Sequence, residues 1–131
     1  MITGREQAGQ ETLQAIFAIS FILVPVLFST IELGDVLHLW LGEQAAAAAG
    51  ARVAGEIGED GPDVRQRIDQ ELRGAGIDPA GCAVAVVPSR VGWHDPITVT
   101  VTSRRHIGVP FLFQRDVTLR SSFTGRGEVN H

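Results

Sequence analysis

Residues Ala15 to Ile31 read AIFAISFILVPVLFSTI, 17 positions without a formal charge. At about 18 or more apolar residues the natural reading is a membrane-spanning helix, and a soluble domain this small rarely buries such a run. The run lies just under that length. It reaches it by extending through Glu32, Gly34, Asp35 and His38 to Leu39-Trp40-Leu41. Working outward, the pattern predicts a polar leader over 1–14, a transmembrane helix over 15–41 and a small head over 42–131.

The leader MITGREQAGQETLQ contains Arg5, whereas the far flank carries Asp35 and Glu43 before its first basic residue, Arg52. The tendency of positive charge to stay inside then puts the leader in the cytoplasm and the head outside it. A secretory signal would have a shorter apolar run followed by a small-residue cleavage site. Retention of the segment in the cytoplasmic membrane is therefore expected, with the lipid bilayer as the first partner.

With 131 residues the chain has room for one anchor and one small domain. Such a head is short of core and is expected to lean on the helix that carries it. The net charge of −4 offers no reason to expect nucleic acid. The single Cys82 excludes an internal disulfide and a redox pair, and reads as a small buried apolar residue.

The first helix is expected to continue past the membrane over 42–57. Ala45 to Ala49 and Ala51-Arg52-Val53-Ala54 favour helix, and nothing breaks the pattern before Gly58. Pro25 should kink it. The alanine-rich surface is slim enough for another backbone to approach closely, either the protein's own sheet or a neighbouring helix. Gly58-Glu59-Asp60-Gly61-Pro62 is a turn, with Pro62 suited to a first helical position. Val64, Ile68 and Leu72 then recur at spacings of four on one face of a second helix. Asp63/Arg67, Arg65/Asp69, Arg67/Glu71 and Asp69/Arg73 pair opposite charges on its solvated side.

The remainder reads as strands: Cys82 to Val87, Ile97 to Ser103 (ITVTVTS, one apolar and one wet face), and Asp116 to Thr124. Arg104 to Arg115 is expected as a long connection and Gly125 to His131 as a frayed tail. The predicted fold class is α+β: a long N-terminal helix continuing into a head with one further helix and a short antiparallel sheet.

No constellation of residues carries catalytic chemistry. His38, His94, His106 and His131 lack metal spacing, and no nucleophile motif frames the serines. A non-enzymatic protein with no cofactor or metal is expected. His94-Asp95 reads as a loop hydrogen bond. Arg104-Arg105-His106 reads either as a polar turn or as a contact for lipid headgroups or an acidic partner. Glu32 and Asp35 either mark the outer boundary of the anchor, or, if Trp40 marks it, lie deeper. A deep acidic residue costs about 2.5–3.5 kcal/mol and needs a partner, which another subunit could supply.

Gly9-Gln10 before a polar stretch and a long apolar helix, Ile31-Glu32-Leu33-Gly34, and Ala45-Ala-Ala-Ala-Ala-Gly-Ala-Arg52 together resemble the TadE-like minor pilins of tight-adherence (Flp-type) pilus systems. ITVTVTS, then GVPFLF, then Arg126-Gly127-Glu128 extend the resemblance over most of the chain. The resemblance implies a prepilin of the cytoplasmic membrane, cut by a prepilin peptidase between Gly9 and Gln10. Its partners would be other pilin-like subunits and the pilus assembly platform. It implies subunit packing through Gln14, Glu32 and Asp35, and head docking through a loop carrying Arg104, Arg105, Phe111 and Phe113. Such prepilins usually have Glu at the fifth position after the cleaved glycine. Here that position is Gln14, which can hydrogen-bond but cannot supply charge. The expected function is a non-enzymatic minor pilin or assembly component. The alternatives are a signal-anchored binding module unrelated to pili, with a ligand at Trp93, Phe111 and Phe113, and an anchored hydrolase using His94 or His106.

Overall fold

A computed structural model describes residues 3–130. One α-helix, α1, runs unbroken from Thr3–Ile57, through Pro25. Its 55 residues reach about 80 Å at 1.5 Å per residue. A second helix, α2 (Pro62–Gly74), and a three-stranded antiparallel sheet follow. The strands are β1 (Cys82–Val87), β2 (Pro96–Val109) and β3 (Phe113–Arg126), in the order β1-β2-β3. The chain has the α+β architecture that the hydropathy pattern predicts.

The two ends of α1 live in different surroundings. From Arg5 to Leu41 it is almost bare, with Phe21 74% and Ile22 67% exposed. From Gly42 onward it is the spine of the head. Ala46, Ala47, Ala51 and Ala54 are fully buried with Val64, Ile68 and Leu72 of α2 and Ile97, Val99 and Val101 of β2. The choice left open for the alanine-rich surface is thus made by the protein's own sheet and α2. The approach is close because side chains are nearly absent at the crossing. A Cβ on Gly50 would lie 2.6 Å from Ile68, and one on Gly55 would lie 2.6 Å from the Arg126 carbonyl oxygen.

Helix α2 starts at Pro62, where the missing N–H costs nothing, and turns out of the helix at Ala75 before Gly76, whose φ of +77° suits glycine. Its buried face is the predicted one. Of the four charge pairs predicted along it, only Arg67–Glu71 closes among the described residues. Arg65 does not pair with Asp69 along the helix. It clasps both carboxylate oxygens of Asp60 at 3.0 and 2.7 Å and donates to the Val84 carbonyl at 2.9 Å, tying α2 to the turn before it and to β1. Arg67–Glu71 forms as expected, at 2.8 Å.

The outer face of the sheet is wet, with Thr98 bonded to Thr124 and Thr100 to Ser122 at 2.8 and 2.9 Å. Two expectations are corrected. Residues 104–115 are not a long connection: β2 and β3 continue pairing down to Val109↔Phe113 and turn within three residues. The Arg-Arg-His-Ile-Gly sequence breaks the alternation that marks a strand, but cross-strand pairing carries it. The tail is also not frayed up to Glu128. Gly127 N–H donates to the Asp95 carbonyl at 2.9 Å and Glu128 N–H to the Gly55 carbonyl at 2.8 Å, so the chain is pinned to α1.

Candidate interaction surfaces along the helix and hairpin

The long β2–β3 hairpin lies against α1, and its register sets what each side chain can reach. Odd-numbered residues of both strands share the helix-side face: Val99, Val101, Ser103, Arg105, Ile107 and Val109 on β2, with Phe123, Ser121, Leu119, Val117, Arg115 and Phe113 opposite them. On α1 the matching seam runs through Glu32, Val36 and Leu39, half-buried among exposed neighbours, and on through the buried Glu43, Ala46 and Gly50. Spacings of three and four keep these positions on one side of a helix.

Glu43 is the residue this seam singles out, and the sequence reading gave it no role beyond its charge. It is fully buried. Ser103 donates to one of its carboxylate oxygens, while the other has no hydrogen-bond partner among the described residues. Loss of water pushes the Glu43 carboxyl above its ordinary range; the Ser103 hydrogen bond and the Arg105 charge pull it back in part. Cys82 is half-buried, and burial, with Glu43, Asp78 and Asp69 nearby, raises its thiol as well. The only sequence signal for Glu43 was its place two residues before an alanine run, on the same helical stripe.

Of the acidic residues assigned to the anchor, Glu32 is half-buried on the seam that faces the protein's own hairpin, and Asp35 is exposed. Gly9, Gln10 and Gln14 are exposed helical positions, so any cleavage between Gly9 and Gln10 would fall within α1. His38 belongs to the head, its Nε2 lying 3.2 Å from the Ala75 carbonyl at the end of α2. Leu39 lines a hollow with Gly76, Ile77, Ser103 and Arg105. The head therefore reaches α1 well below Leu41.

The residues assigned to a docking loop are not brought together. Arg104 and Arg105 stand in β2 and Phe111 in the turn, seven and six residues further on respectively, while Phe113 opens β3. At about 3.3 Å per residue the arginines and Phe111 are about 20 Å apart. Trp93 is further still, at the opposite end of β2, where it packs edge-on to His94 with centroids 4.6 Å apart. A shared ligand site of Trp93 with Phe111 and Phe113 is thereby ruled out. Asp95 accepts from Gly92 N–H at 3.2 Å rather than serving His94, and His106 pairs with Asp116 at 2.9 Å on the exposed face of the hairpin.

No family model, curated protein or solved structure matches the chain.

The hairpin tip reaches far down the apolar half of α1. Phe111 and Leu112 line a groove of about 580 Å³ with Phe17, Phe21, Val24 and Pro25, almost wholly apolar. Leu112 also meets a second groove beside Ser29, Thr30 and Leu33. Phe111 is 93% exposed and Leu112 62%, so Phe111 is essentially uncovered and Leu112 is only partly covered.

Proposed function

We propose that this chain is a non-enzymatic, single-pass membrane protein that acts as a minor pilin or assembly component of a tight-adherence, type IV-like apparatus. The observation that carries the reading is the division of α1. One half is apolar and bare, and could cross a membrane by length and composition. The other half is the buried spine of an α+β head. A subunit built this way can pack its bare half laterally among other helices while its head is presented at one surface. That is the arrangement the TadE-like resemblance implies.

The mechanism is assembly rather than chemistry. Lateral packing in a bilayer depends on shape and on the few polar groups available, here Gln14, Glu32 and Asp35. The half-buried Glu32 is partly committed to its own hairpin, so Gln14 and the exposed Asp35 are the freer polar contacts for a neighbour.

The test is the intact mass and amino-terminal sequence of the protein from native membranes, with and without the host's prepilin peptidase. A chain beginning at Gln10 only when the peptidase is present supports the pilin reading. An uncut chain in both strains overturns it and leaves an anchored binding module.

A further inference from the structure

We propose that the β2–β3 hairpin is a second membrane element: its tip is sunk in the hydrocarbon of the head-side leaflet beside α1, with arginines at the phospholipid phosphates above it. This rests on the membrane-anchored part of the reading above, not on the pilus part.

The first argument is one of room. Between Glu11 and Glu32, α1 has no charged residue. Those 20 positions span about 30 Å, the thickness of a bilayer's hydrocarbon core. Leu112 and the almost fully exposed Phe111 border a groove along Phe17 to Val26, at the level of that window. A span that avoided the hairpin would have to lie before Phe17, where Arg5, Glu6 and Glu11 stand. If α1 crosses the bilayer, the tip is in it.

The second argument is a match of two polarity boundaries. The hairpin carries no charge from Ile107 to Gln114; Arg115, His106 and Asp116 close the interval. From Ile107, opposite Arg115, to Phe111 is four residues, about 13 Å of strand. From Glu32 down α1 to Pro25 and Phe21 is 7 to 11 residues, about 10–17 Å of helix. Glu32 and the hairpin's lowest charges therefore lie at similar heights, and only uncharged side chains continue below. The chemistry suits lipid. Pro110 has no N–H, and Leu112 N–H is bonded to the Val109 carbonyl at 3.1 Å, which reduces the open donors hydrocarbon penalises. Exposed Arg104, Arg105 and Arg115 stand above the tip, where long basic side chains reach headgroups.

The test uses the full chain in a Cys82→Ser background, reconstituted in phosphatidylcholine–phosphatidylglycerol vesicles with brominated acyl chains. A polarity-sensitive fluorophore is placed on Leu112→Cys at the tip, Leu23→Cys in the anchor and Thr118→Cys above the charge boundary. The expected result is a blue-shifted tip probe, quenched by bromolipid as strongly as the anchor probe, with aqueous iodide quenching only position 118. A tip probe quenched by iodide but not by bromolipid, with the anchor probe still in lipid, overturns the hairpin proposal alone. A tip probe shielded from both quenchers overturns it in favour of a protein occupant, such as a second copy. An anchor probe open to iodide overturns the membrane reading itself.

Discussion

Ser103 of β2 donates its hydroxyl hydrogen to Glu43 of α1, a carboxylate with no exposed surface. The bond joins the sheet to the helix at the point where α1 passes from bare to buried. It is also the most demanding contact in the head, because an ionised carboxylate there has lost its water and gained one hydrogen bond.

Glu43 should make stability fall as pH rises, opposite to a salt-bridged carboxylate. Its folded-state pKa is raised by burial, so the folded state holds a proton that the unfolded chain releases first. The contribution is intact below about pH 4.3, the ordinary glutamate value, and is lost as pH climbs through the raised one. Glu43→Gln removes that dependence. Subtracting thermal melts of wild type from those of E43Q across pH 4–8 should give a difference that grows with pH and then levels. A flat difference would mean that Glu43 titrates as it does in water.

Ser103→Ala should destabilise the head by about 1–3 kcal/mol, the usual cost of leaving a buried polar partner unsatisfied. Ser121 is the contrasting case. It is also buried on the helix-side face, opposite Val101, but its hydroxyl has no partner. Ser121→Ala should be neutral or stabilise by up to about 1 kcal/mol. Denaturant melts of the two variants in the same detergent check the pair, and equal losses would show that both hydroxyls are satisfied.

Gly55→Ala should cost about 1–3 kcal/mol, despite alanine's better helix propensity, because the added methyl meets a backbone oxygen that cannot rotate away. Beside it, Glu128 N–H donates to the Gly55 carbonyl. Hydrogen exchange at Glu128 should accelerate in the variant, and unchanged protection there would show that the strand end had shifted without loss.

Arg65→Ala should loosen the start of α2. It removes the two-oxygen grip on Asp60 and the donor to Val84. Arg65 is partly exposed, so solvent screening limits the loss to about 1 kcal/mol. Arg65→Lys should recover little, since one ammonium cannot span both carboxylate oxygens and the carbonyl. Full recovery by lysine would reduce the contact to simple charge.

The long apolar helix, α2 and the existence of three strands were legible from local pattern. Seventeen uncharged residues, alanines without a breaker, apolar positions every fourth residue, and ITVTVTS each state their element without help from the rest of the chain. What they could not state is which surfaces meet. The alanine-rich stripe suited either a sheet or a neighbour, and only the packed head puts α2 and β2 on it. Residues 104–115 look like a connection because their pattern is irregular; pairing with the opposite strand makes them a hairpin. Once the hairpin runs beside α1, the arginines and Phe111 separate, Glu32 turns toward its own sheet, and Glu43 is cut off from water. Local sequence determines periodicity and backbone propensity. The environment of a charge depends on residues sixty positions away, as Glu43 and Ser103 are, and that is decided only when the chain packs.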